Sequence, residues 1–210
     1  YPGTWFWPDI DYTNQDRANW RATAHYRRIQ AALHAGGPER LQNDPAFTTK
    51  IIGALEYWIC HGFTNPNWWH NDIGTPRNIA DILLMLYPVL PKEVLTRGAA
   101  LVGNGSMANR PEISADWTGA NLIWGASNTI KHAILIEDET LLRQAVERAA
   151  QPHHMAIQVP FTSGVIWIWS SIASSSGWPD SQRTILTSVA VGAQSRKKVD
   201  SCVQVAPRSS

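Results

Sequence analysis

Little in this 210-residue sequence assigns it by composition. It holds two cysteines, Cys60 and Cys202, too few for a disulfide framework and without metal-ligand spacing to one another. Eighteen Lys and Arg against seventeen Asp and Glu leave a formal charge of +1, so no strong field draws nucleic acid or a membrane surface. No apolar run reaches the roughly 18 residues of a membrane span. No methionine opens the chain and no signal peptide is legible. Tyr1-Pro2-Gly3 reads as an internal start, a processed end or an incomplete gene model. Gly103-Asn104-Gly105 lacks the preceding strand and the Gly-Lys-Ser/Thr element of a phosphate loop. What is left is one domain with room for a sizeable core, with neither nucleic acid nor membrane expected as a partner.

What the chain does have is tryptophan, eleven of them. The richest stretch runs from Asn65 to Arg77 and contains Asn65-Pro66-Asn67-Trp68-Trp69-His70. Thr75 reads as a helix N-cap and Pro76 as the first helical position, where a missing N–H costs nothing. Ile79, Ile82, Leu83 and Leu86 follow at helical spacing. Trp68 and Trp69 on a loop fixed at a helix start form a flat platform on which the apolar C–H faces of sugars can stack. Core anchoring beneath a loop is the alternative for the same two rings.

The rest of the chain reads as helices. One is expected from about Asp16 to Ala35, with Ala18, Ala22, Tyr26, Ile29 and Leu33 on one face and Gly36-Gly37-Pro38 ending it. Asp44-Pro45 opens a second, with Gly62 as its C-cap. Cys60 falls on that helix and reads as a buried thiol. Further helices are expected from Pro76 to about Tyr87, from Pro91 to Val102, after Thr118, and after Asp138. Six helices with no convincing strand before Gln151 predict an all-α fold of antiparallel hairpins. Beyond Pro152 the pattern is lost. Val165 to Trp169 could be a strand, and a serine run and a polar tail follow. Two histidines in that region, His153 and His154, have no third ligand spaced to join them in a metal site.

Asn67-Trp68-Trp69 followed by Ile73-Gly74-Thr75-Pro76 resembles the tryptophan-pair motif of polysaccharide lyase family 8, the hyaluronate, chondroitin AC and xanthan lyases. Asp11-Tyr12, Arg17, Trp20 and His25 resemble the opening of that family's α domain. Thr118-Gly119-Ala120-Asn121 is similar to its Gly-X-Asn segment at a helix start. The resemblance spans roughly Trp5 to Ala150. It implies an incomplete (α/α) toroid over residues 1–151, with an irregular segment over 152–210. It also implies β-elimination on an acidic, uronic-acid-containing polysaccharide, with no cofactor, by a secreted protein, here expected to be a monomer.

By the same resemblance Asn121 would hold the uronate carboxylate as the carbon 5 proton leaves, taking up developing negative charge. A turn or capping role is the alternative for Asn121. Trp68 and Trp69 would position the polymer, and Trp117 would add a third ring. Arg77 would either attract the acidic chain or pair with a surface carboxylate. The histidine and tyrosine that would serve as base and acid are not found. After Asn121 no tyrosine occurs, and His132 falls inside a helix. A frameshift or misjudged splice site after about residue 150 would explain the loss. Weak or absent lyase activity is therefore expected. A non-catalytic glycan-binding module is the alternative. An inverting glycosidase using two of Glu56, Asp72 and Asp116 would need a facing pair about 6.5–9.5 Å apart.

Overall fold

The computed structural model describes residues 5–149, all of which are helical or irregular. Expectations for His153, His154, Val165 to Trp169, Cys202 and the boundary at 151 lie outside the described residues. Seven α-helices follow in order: α1 (Ala24–Asn43), α2 (Pro45–His61), α3 (Thr75–Leu86), α4 (Lys92–Gly103), α5 (Glu112–Ala115), α6 (Gly119–Leu135) and α7 (Glu139–Ala149). Helix α1 packs on α2, α3 on α4, and α6 on α7, so consecutive helices pair. Helix α3 also packs on α1 and α6. Its residues Ile79, Ala80, Ile82, Leu83, Leu84 and Leu86 are all buried, because a helix apolar on several sides must be covered on several sides. The buried ammonium of Lys131 on α6 meets Asp81 of α3 at 2.6 Å and ties these two helices across the core.

The helix ends follow local chemistry. Asp44 accepts from the Phe47 N–H at 2.9 Å, and Asp138 from the Leu141 N–H at 2.9 Å. Gly62 ends α2 in the left-handed region at φ 57°, which a side chain would disfavour. Replacing Asp44 by alanine is expected to cost about 1 kcal/mol, read as a lower urea midpoint at unchanged slope.

Several expectations need correcting. The first helix begins at Ala24, after a short 3-10 turn at Arg21–Thr23, and not at Asp16. The Asp16 carboxylate accepts from the N–H groups of Ala18 and Asn19 and holds a turn there, leaving Ala18 exposed. The chain kinks at Gly37 and continues helically to Asn43. Cys60 is exposed, since the buried stripe of α2 runs through Ile51, Leu55 and Trp58. Its Sγ lies 3.6 Å from Arg97 Nη1, beside the Arg97–Glu56 ion pair.

The N-terminal aromatic stretch is fastened by a chain of hydrogen bonds. Fully buried His25 donates from Nε2 to the Ala54 carbonyl at 2.7 Å. Nδ1 is then an acceptor, and the Tyr12 hydroxyl donates to it at 2.8 Å. The Tyr12 oxygen in turn accepts from the Trp7 N–H at 3.2 Å. Burial pushes His25 down from 6.5 to about 4 and, in the same way, lowers His132 and His70. Between pH 6.5 and about 4 the unfolded chain therefore binds a proton at His25 that the folded chain refuses. The stability contributed by the neutral ring is complete above pH 6.5 and falls away towards pH 4, by about 3 kcal/mol at most. A His25→Gln variant is expected to flatten the decline in unfolding free energy across that window, measured by denaturant titration at stepped pH.

Candidate functional site

Residues 68 to 74 do not form a loop. Asn67 starts a helix there: its side-chain oxygen accepts from the Trp69 N–H at 3.1 Å and its carbonyl from the His70 N–H at 3.1 Å. The turn then widens into a π-helix at His70–Gly74 that runs straight into α3. Thr75 is accordingly an interior residue with no capping bond, which corrects its expected N-cap role. Pro76 cannot donate to a preceding carbonyl, and a widened turn directly before it is where such a defect is absorbed.

Three asparagines clamp this turn to the rest of the chain. Asn71 accepts from the Asn65 N–H at 2.9 Å and donates to the Asn65 carbonyl at 2.7 Å. Asn65 donates to the Asp16 carbonyl at 3.1 Å and accepts from the Asn67 N–H at 2.9 Å. Asn67 donates to the Arg17 carbonyl at 3.0 Å. The two tryptophans are thus held on a rigid element, which suits a contact surface.

Trp68 is 47% exposed and meets the half-buried Trp117 edge to face, with ring centroids 5.7 Å apart. Trp69 is half-buried and meets Trp124 of α6 in the same manner, also at 5.7 Å. Trp69 lies so close over Gly74 that a Cβ there would sit 2.7 Å from its ring. The Trp117 ring leans on Gly125 of α6, and its carbonyl accepts from Arg148 Nη2 at 3.3 Å. Residues some fifty apart in the chain therefore assemble two tryptophan pairs on neighbouring positions of one turn. Trp124 was not singled out from sequence, because it lies among the apolar residues Leu122 and Ile123 of a helix with nothing local to set it apart. Not all the tryptophans serve a surface: Trp20 and Trp58 are 2% and 0% exposed and belong to the core.

Asn121 stands in the first turn of α6, one turn before Trp124 and Gly125 on the same side of the helix. It is half-buried, and among the described residues its amide makes no side-chain hydrogen bond. Thr118 makes no capping bond either, as Gly119 turns the chain at φ 56°. A capping box involving Asn121 is therefore not formed. Arg77 is exposed on α3 and has no ion pair among the described residues. The alternative of pairing with a surface carboxylate is thus not seen there.

Two of the three carboxylates considered for a glycosidase are engaged in ion pairs. Glu56 is bound to Arg97 at 2.7 Å. Asp72 is bound to Arg110 at 2.6 Å, and its burial raises its carboxyl above the usual range. Asp116 is exposed. No group of three or more His, Cys, Asp or Glu among the described residues is placed to hold a metal ion. His132 is buried inside α6, as expected.

Paired helices carrying a rigid aromatic surface, with an amide one helical turn away, define the class of helical-toroid domains with an aromatic face. Within that class the chain belongs to polysaccharide lyase family 8: the model of that family's N-terminal alpha-helical domain matches residues 3–158. Chondroitinase-AC of Pedobacter heparinus is 28% identical over 149 residues, covering 70% of this chain and 21% of that protein. The chain thus spans about a fifth of that relative's length. A Paenibacillus xanthan lyase structure matches with TM-score 0.56 and 23% identity over 69% of this chain and 14% of that one. The structure of Streptomyces coelicolor A3 chondroitin AC lyase in complex with chondroitin sulphate matches with TM-score 0.60 and 18% identity, over 91% of this chain and 29% of that one. At these identities the structural likenesses bear on fold, and they agree with an all-α, incomplete (α/α) toroid.

Proposed function

We propose that this chain forms the glycan-contacting face of a lyase acting by β-elimination on uronic-acid-containing polysaccharides of the hyaluronan, chondroitin or xanthan type. The observation that carries this reading is exposed Trp68 set edge to face on half-buried Trp117, with Asn121 in the helix turn that follows Trp117. Sugar faces stack on the rings. The amide donates to the uronate carboxylate without itself titrating, so charge that develops when the carbon 5 proton leaves meets a fixed dipole. Arg77, exposed and without an ion pair among the described residues, adds attraction for an acidic polymer. The relative bound to chondroitin sulphate supports an acidic glycan as the partner. Family membership supports export from the cell. No helix among the described residues is long and apolar enough to cross a membrane.

Elimination also needs a base and an acid. The sequence has no tyrosine after Asn121. The hydrogen-bonded Tyr12–His25 pair is committed to closing the N-terminal stretch, with Tyr12 raised and His25 lowered by burial, so both rings stay neutral near pH 7. We therefore read this chain, acting alone, as a weak or inactive lyase. That favours glycan binding without cleavage as the second reading.

One experiment separates them. The purified chain is incubated with hyaluronan, chondroitin sulphate and xanthan while the ultraviolet absorbance of the unsaturated uronate is followed. Retained binding with no absorbance rise is the expected result. A rise abolished by Asn121→Ala would show that a base and acid are present and were missed. Absence of binding to all three polymers would refute both readings.

A further inference from the structure

We propose that a polar pocket of about 290 Å³ beside the tryptophan turn is a second sugar subsite, one that takes a neutral, hydroxyl-rich sugar unit. This rests on the glycan reading above for its role in polymer binding, but not for its chemistry. The pocket is lined by Asn71, Asp72, Asn104, Asn109, Arg110 and Glu112. The turn that carries Trp68 and Trp69 supplies one wall, Asn71 and Asp72, and the stretch that ends in Trp117 supplies the other.

The pocket is built rather than incidental. Gly105 lets the second wall approach the first, since a Cβ there would lie only 2.4 Å from the Asp72 carbonyl oxygen. Arg110 then pins the walls together. It donates to Asp72 at 2.6 Å, to the Asn104 carbonyl at 2.7 Å and to Glu112 at 3.2 Å. The Met107 N–H donates to Thr129 of α6 at 3.0 Å and anchors the same stretch from behind.

Asp72, Glu112, Asn104 and Asn109 line this one pocket and keep hydrogen-bonding capacity after these bonds. Among the described residues, the second carboxylate oxygens of Asp72 and Glu112 carry no hydrogen bond, and neither do the side-chain amides of Asn104 and Asn109. Two acceptor oxygens and two amides suit vicinal hydroxyls, each of which both donates and accepts. Charge decides the kind of sugar. Two carboxylates against one guanidinium leave the pocket with a net negative charge, and three of the five N–H donors of that guanidinium are already taken. A uronate or sulfate would be repelled, while an uncharged sugar would not.

The test uses the whole chain with three probes: N-acetylglucosamine, glucuronate and hyaluronan, whose amino sugar is uncharged. Binding is followed by chemical-shift changes of the Asn104 and Asn109 side-chain amides and by calorimetry. The neutral sugar is expected to shift both amides, and glucuronate is not. Asn104→Ala and Asn109→Ala alter exposed residues without side-chain bonds, so melting temperature is expected to hold. Each is expected to abolish the neutral-sugar response and weaken hyaluronan about tenfold. Equal response to glucuronate, or unchanged binding of both ligands in the two variants, would overturn the subsite. If those variants bind hyaluronan normally while Trp68→Ala does not, the subsite falls and the glycan reading stands. A neutral-sugar response without any hyaluronan binding would leave the subsite standing and remove the reading of the polymer.

Discussion

Truncating Trp58 to alanine is expected to cost about 3–5 kcal/mol and to lower the melting temperature by about 10 °C. Trp58 is fully buried on α2 and joins the aromatic core of the first hairpin. It meets Tyr26 edge to face at 4.9 Å, Phe63 at 5.1 Å, and Trp20 and His25 at 5.7 Å each. Alanine would leave a cavity among rigid rings that cannot collapse into it. Phenylalanine at the same position is a sharper probe. The Trp58 Nε1 is buried without a hydrogen-bond partner among the described residues, so losing it removes an unpaired donor along with the ring volume. Trp58→Phe is expected to retain most of the stability. Equal losses in the two variants, in thermal unfolding, would contradict this account.

The second large effect is on binding. In the proposed glycan role, the double variant Trp68→Ala, Trp69→Ala is expected to weaken acidic polysaccharide binding about thirtyfold or more, the usual consequence of removing aromatic anchors at the centre of a contact surface. The single variants divide that loss by mechanism. Trp68 is 47% exposed and its loss is expected to reduce affinity with little change in melting temperature. Trp69 covers Gly74 and meets Trp124, so its removal is expected to cost both affinity and stability. Unchanged binding in the Trp68 variant would exclude the platform.

Helix periodicity and end signals carried most of the fold. Asp44, Asp138 and Gly62 act at helix ends where they were read, and Ile79, Ile82, Leu83 and Leu86 are buried as their spacing required. The errors share a cause, which is competition between two local signals. Thr75-Pro76 looks like a helix start, yet Asn67, eight residues earlier, supplies the cap, and a π-turn absorbs the proline. Asp16 looks helical in context, but its carboxylate is worth more to a turn. Cys60 was assigned to the wrong stripe of an otherwise correct helix. For the candidate site, Trp68, Trp69 and Asn121 were visible as residue types and through family resemblance. Their setting was not. Trp124 meets Trp69 across 55 positions, and Arg110 meets Asp72 across 38, and no local pattern reports such pairs.

Those separations also order assembly. The α1–α2 hairpin closes through contacts about thirty residues apart, such as His25–Ala54 and Tyr26–Trp58, whereas Trp68–Trp117 and Trp69–Trp124 each require a loop of roughly fifty to fifty-five residues to shut first. The aromatic surface is accordingly a late product of refolding. After dilution from denaturant, far-ultraviolet helicity would return before the near-ultraviolet signal of the paired indoles, and a nascent chain would carry its first hairpin well before its tryptophan pairs could form.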